Sequence, residues 1–256
     1  MDRLLLLLIA LLPGLLITAY IYWRDRHEPE PLWLLGISFM FGVLSTYPAI
    51  KMEEFGMYDI FITSSNNPWM TFTFAFLTVA FSEELVKYIF LRYYIYPKDE
   101  FCEPMDGIVY SVTISMGFAT LENVLYVVVR AGAEDFDHAL EIGWARMFTA
   151  VPAHAAFAMV MGYFVGLAKF RPEKESFYQF CGLAFAVLLH GTYDFFIFQE
   201  MSQYLTIFTF ITLIGSIIIG KFMVHWHVND SPYRNQESAE VHSYFKDDNL
   251  PPPTDL

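Results

Sequence analysis

Phe81-Ser82-Glu83-Glu84-Leu85-Val86-Lys87 interrupts an apolar run that extends from Trp69 to Phe90. Two carboxylates and an ammonium at bilayer depth are costly unless they are paired or face a wet cavity, so this stretch marks a functional region of the chain. On a helix Lys87 lies four residues after Glu83 and three after Glu84, within reach of either, while the two glutamate side chains diverge by about 100°. One acid is then left without a partner on its own helix. Another part of the chain has to meet it.

The surroundings of the stretch are those of a membrane protein. Of 256 residues 55% are hydrophobic and 17% charged, and the mean hydropathy is +0.39. Long uncharged runs predict an all-α, polytopic transmembrane helix bundle of about seven spans, near 4–23, 32–47, 69–94, 107–129, 146–168, 177–198 and 201–227. Met1-Asp2-Arg3 lacks a basic start and the first run ends in Tyr20-Ile21-Tyr22-Trp23, so it reads as a retained span rather than a cleaved signal. Pro48 is a candidate end for the second span, 51–68 reads as a polar connector with a Ser64-Ser65-Asn66-Asn67-Pro68 loop, and 130–145 as an acidic connector. Gly162 and Gly166 form a small-xxx-small pair suited to close helix packing. One domain, 1–228, is expected, followed by a disordered polar tail, 229–256.

Charge and cysteines narrow the partners. A formal charge of −13, carried by acids in the loops and tail, argues against nucleic acid. Cys102 and Cys181 form neither a CxxC pair nor a disulfide framework. Arg24, Arg26, Arg92, Lys98, Lys169, Arg171, Lys174, Lys221, Arg234 and Lys246 follow the odd-numbered spans, against Arg3, Lys51, Arg130 and Arg146 on the other side. That bias orients the N-terminus outside and the C-terminus in the cytoplasm.

Further polar residues recur inside the later spans: Glu122-Asn123 in the fourth, His154 just after Pro152 in the fifth, with Arg146 at its edge, and His190 with Asp194 in the sixth. Counted at 1.5 Å per residue, Glu83, Glu84, Glu122, His154 and His190 lie within roughly 6 Å of mid-membrane, which allows one polar layer. Each has a bland reading. Glu83, Glu84 and Lys87 could form a structural ion pair with one protonated acid, Glu122 could hydrogen-bond across helices, His154 could cap carbonyls freed by Pro152, and Arg146 could snorkel. His190 and Asp194, four apart on one face, suit a carboxylate that fixes an imidazole tautomer. Four helices each bringing such groups to similar depth is the observation that favours chemistry.

Two chemistries fit. In the first, Glu83 or Glu84, with Glu122 or His154, takes a proton from water and returns it to a leaving amine, Lys87 balances charge, and His190 stabilises an oxyanion. In the second, Glu122, His154 and His190 hold a catalytic metal such as zinc with an open water position, although no HExxH pattern is present.

The ordered series EExxK (Glu83 to Lys87), FxxxEN (Phe118 to Asn123), Arg146 to His154, and HxxxD (His190 to Asp194) resembles the PrsW family of bacterial intramembrane proteases, and more distantly the CAAX-prenyl and bacteriocin-processing protease group. Tyr126 also fits the family's fourth-span pattern. The resemblance covers about half of the chain. It implies an intramembrane endopeptidase of the bacterial cytoplasmic membrane that cuts a membrane-anchored protein such as an anti-sigma factor. It further implies a catalytic set of Glu83, Glu84, Glu122, His154 and His190, supported by Lys87, Asn123, Arg146 and Asp194. The CAAX group has His where this chain has Glu122 and Asn where it has Asp194, so the metal-free mechanism of that group does not carry over directly. Cleavage of a lipidated or exported peptide is the narrower alternative within the enzyme class. A proton-coupled transporter and a non-enzymatic scaffold are the rivals outside it, the first disfavoured by the absence of an inverted repeat.

Overall fold

A computed structural model describes residues 2–25, 27–60, 62–64 and 67–233, and among these the chain is helical without a strand. The helices are α1 Asp2–Arg24, α2 Leu32–Asp59, α3 68–95, α4 Pro104–Glu134, α5 Phe136–Phe170, α6 Pro172–Phe198 and α7 Gln203–Asn229. Six are long and apolar enough to cross a membrane; α3, which carries Glu83, Glu84, Lys87 and Arg92, is the seventh. The helix starts follow from local chemistry. Asn67 Oδ1 accepts from Trp69 N at 3.0 Å with Pro68 in the first turn of α3, and Asp135 Oδ2 accepts from His138 N at 2.9 Å in α5.

The centre of the bundle is α4, whose residues from Met105 to Thr120 are all buried. It is apolar or small on every face, as a helix surrounded by other helices must be. Helices α1, α2 and α5 pack around it. The expected small-residue contact is here: a Cβ on Gly162 would collide with the backbone of Gly107 and Ile108, and one on Gly166 with the carbonyl of Pro104. The backbones of α4 and α5 therefore approach as only glycine allows. The outer surface carries apolar side chains at helical spacing, such as Phe210, Ile214 and Ile218 of α7, and suits lipid.

Three sequence expectations are corrected. Pro48 does not end α2, which runs on to Asp59, so most of the anticipated connector 51–68 is helix. Proline is tolerated inside membrane helices, and here it removes only the one N–H that would have met the Leu44 carbonyl. The acidic stretch 130–145 is also largely helical, and Ala139 packs with Leu6, Val127 and Ala131. Finally, residues 230–233 are not a solvated tail: Ser231 is buried and its hydroxyl donates to Glu103. Residues 234–256, the remainder of the expected tail, lie outside the described residues, as do Arg26, Ser65 and Asn66.

Helix α5 bends at Thr149, between Arg146 and His154. Pro152 has no N–H for the Phe148 carbonyl, which explains the break. Wider π-type turns at Phe74–Ala80 and Val124–Ala131 flank the polar residues of α3 and α4.

Candidate active site

The polar groups of four helices meet. Lys87 Nζ lies 2.7 Å from Glu84 Oε1 and 3.3 Å from Glu83 Oε2, so the ammonium serves both acids of its own helix. It also lies 3.3 Å from His154 Nδ1, across on α5, and sits over the Phe118 ring of α4 at 4.2 Å. Because an ammonium only donates, Nδ1 of His154 accepts, and the ring proton is on Nε2. That nitrogen is 3.0 Å from Glu122 Oε2. Glu122 is held in turn by Arg146, whose NH2 is 2.8 Å from the same oxygen and whose Nε donates to Asn123 Oδ1 at 2.7 Å. The guanidinium lies over the Tyr126 ring at 4.3 Å. A planar fork that meets two residues at once while stacking on a ring suits arginine.

His190 repeats the pattern. Its Nε2 is 3.2 Å from Asp194 Oδ2, one turn on along α6, and its Nδ1 is 2.9 Å from Glu84 Oε1. The two imidazoles stand nearly perpendicular with centroids 5.1 Å apart, and His190 stacks on Phe157, also at 5.1 Å. Each histidine thus has Nε2 anchored by a carboxylate and Nδ1 turned toward Glu84 and Lys87. Two acceptors facing each other at 2.9 Å require a proton between them, so Glu84 and His190 share one in this arrangement. Glu84 Oε2 is buried with no hydrogen-bond partner.

One ligand atom from each of Glu83, Glu84, His154 and His190 falls within a mutual distance of 4.8 Å, and all four residues are buried. Two carboxylates and two imidazoles are a donor set suited to zinc, and an imidazole whose far nitrogen is held by a carboxylate is the usual second layer of such a site. The residues therefore fit a metal ion. Glu122, which the sequence grouped with His154 and His190 as a ligand, stands instead behind His154, bonded to its outer nitrogen.

Glu83, Glu122, Arg146, His154, His190 and Asp194 line a cavity of about 690 Å³ that reaches to Ser64, Arg130 and Phe198, and so toward the connections between α2 and α3, α4 and α5, and α6 and α7. Glu84, Lys87 and Asn123 do not line it but are bonded to residues that do. Glu53 was not anticipated. It lines the cavity from α2 along with Thr46, Ile50 and Met57, a one-face helical spacing that becomes visible once α2 is known to continue past Pro48. Ser115, also unanticipated, donates to the His154 carbonyl at 3.0 Å.

Comparison with known proteins identifies the family. Residues 30–219 match the model of the PrsW family intramembrane metalloprotease. The chain is 36% identical to Protease PrsW of Geobacillus kaustophilus, over 71% of this chain and 75% of that protein. It is 33% identical to Protease PrsW of Bacillus subtilis, over 72% and 78%, and 34% identical to that of Clostridioides difficile, over 76% and 80%. No solved structure gives a significant match. A buried cluster of acids and imidazoles on ordered helices, matched by a family model across most of its length, shows that this chain belongs to the PrsW family of intramembrane proteases.

Proposed function

We propose that this integral membrane hydrolase makes a first, regulatory cut in a membrane-anchored protein such as an anti-sigma factor, with the cavity mouth and the N-terminus on the outer side and the C-terminus in the cytoplasm. The orientation is supported by the excess of Lys and Arg in the connections that follow α1, α3, α5 and α7. The observation that carries the chemical reading is the paired orientation of His154 and His190, each with Nδ1 inward and Nε2 held by Glu122 or Asp194. Glu84, His154 and His190 would hold a zinc ion, with Glu83 left free beside them. When bound, zinc supplies Lewis acidity and a water acidic enough to lose its proton near neutral pH.

The chain's own residues do the rest. Glu83, which lines the cavity, takes the proton of the attacking water and returns it to the leaving amine. Arg146 and Asp194 keep Glu122 and His190 in register, and Phe118 and Phe157 form apolar walls that limit bulk water. A metal-free reading has one observation of its own: Lys87 already balances one charge of the glutamate pair, which suits a glutamate base acting on free water.

Glu84→Gln and His154→Ala should each abolish cleavage of a co-expressed membrane-anchored substrate while the protein accumulates normally. Retained cleavage in both variants defeats the assignment. Activity before and after chelation, with zinc added back, separates the two readings: recovery on zinc favours the metal, and indifference to chelation favours the glutamate base.

A further inference from the structure

A second buried group of carboxyls lies at the opposite end of the bundle from the cavity mouth, where the α1–α2 turn meets the start of α4. One carboxylate oxygen from each of Asp25, Glu103 and Asp106 falls within a mutual distance of 4.8 Å. Their exposures are 3%, 1% and 0%, and Glu30 beside them is 1% exposed. We propose that this pocket binds a hard divalent cation, of the Ca2+ or Mg2+ class, which ties the α1–α2 turn to the N-terminus of α4.

Three features carry the proposal. The first is that the acids are held in position. Asp106 Oδ2 accepts from Cys102 N at 2.6 Å and Glu103 N at 2.8 Å, Glu30 accepts from the Tyr110 hydroxyl, and Glu103 from the Ser231 hydroxyl. The second is that oxygens remain over after this positioning: Asp106 Oδ1, Glu30 Oε1 and both oxygens of Asp25 are buried and meet no donor group, facing only neighbouring carboxyls, Asp25 beside Glu103 and Glu30 beside Asp106. A buried, unpartnered carboxylate oxygen is expensive and is normally met by a donor or a metal. The third is charge: among the described residues no Lys, Arg or His forms an ion pair with Asp25, Glu30, Glu103 or Asp106. Burial and the neighbouring Asp106 charge push the Asp25 carboxyl up to about 9, and burial pushes that of Glu30 up to about 8.

Donor chemistry selects the ion. Carboxylates and hydroxyls with no sulfur or imidazole suit magnesium, calcium or manganese rather than zinc or copper. This is a different preference from that of the His154 and His190 cluster.

The test uses full-length protein in detergent, stripped with EDTA and desalted. Equilibrium dialysis against radioactive calcium should find one saturable site per chain, retained in Glu84→Gln and lost in Asp25→Asn. Saturating CaCl2 should raise the unfolding temperature of the unaltered protein on the order of 5 °C, with MgCl2 as the second arm. Absence of saturable binding of either ion, or undiminished binding in Asp25→Asn, overturns the proposal in favour of protons shared between the carboxyls. Should Asp25→Asn fail to fold, Tb3+ is added to the unaltered protein. Emission sensitised through Tyr110 and quenched by Ca2+ supports the site, and its absence overturns it.

Discussion

Asp194→Asn isolates the task of the groups behind the histidines. The substitution keeps the volume of the side chain and removes only its charge and its strict role as acceptor. In the native arrangement Asp194 Oδ2, 3.2 Å from His190 Nε2, can only accept, so the proton stays on Nε2 and Nδ1 faces Glu84 Oε1 at 2.9 Å. An asparagine can turn either way. With its oxygen toward the ring it keeps the tautomer but replaces a charge-assisted hydrogen bond by a neutral one, a loss of about 1 kcal/mol. With its NH2 toward the ring it removes the proton from Nε2 and fixes the shared proton on Nδ1, away from Glu84. Outer partners of this kind are worth roughly tenfold to a hundredfold in activity, or about 1.4 to 2.7 kcal/mol. The assay is single-turnover cleavage of a tagged, membrane-anchored substrate in proteoliposomes, with gel filtration to verify folding. Asp194→Ala, which removes the acceptor altogether, should fall at least as far. A folded Asp194→Asn protein with a rate within twofold of the unaltered one refutes the assigned geometry.

Two further substitutions test other parts of the arrangement. Arg146→Lys retains the charge but cannot reach Glu122 Oε2 and Asn123 Oδ1 together while lying over Tyr126; roughly tenfold slower cleavage is expected in the same assay, and an unchanged rate would show that charge alone suffices. Gly162→Leu forces a branched side chain into the backbone of Gly107 and Ile108, so a loss of about 3 kcal/mol or more in stability is expected, measured by thermal unfolding in detergent. An unshifted transition would disprove the close approach of α4 and α5.

The chemistry of the site was largely legible in the chain because it departs from an apolar background. Glu83, Glu84 and Lys87 stand out in α3, and the His190–Asp194 pair is local, one turn apart on one helix. The partnership of His154 with Glu122 was not legible, because it joins α5 to α4 and depends on how far α5 bends at Thr149. Glu53 was hidden by Pro48, which locally reads as a helix end but is absorbed by a packed membrane helix. The 136–148 segment was hidden by its acids: it is held to α1 only by a small face, where Gly143 meets Ile9 and Ala139 meets Leu6. Asp25, Glu103 and Asp106 did not stand out, since burial of a loop and a helix start by distant elements leaves no periodic trace in the sequence.

The charge balance of the active cluster bears on what activates water. Glu83, Glu84, Glu122 and Asp194 bring four carboxyl groups into contact with one another's partners, and the fixed cations that reach them are Lys87 and Arg146. Two negative charges remain in a site walled by Phe118 and Phe157, where an uncompensated charge is costly. They can be met by two protons, one of them between Glu84 and His190, or by one divalent ion placed where His154 and His190 aim Nδ1. In the first case the site is a proton store built around Lys87, and in the second binding of the ion releases those protons. The same side chains satisfy both, so Lys87 is the residue that separates them. An ammonium 2.7 Å from Glu84 Oε1 and 3.3 Å from His154 Nδ1 occupies the donors a metal would need, and a metal can be held there only as that ammonium gives up its place between Glu84 and His154.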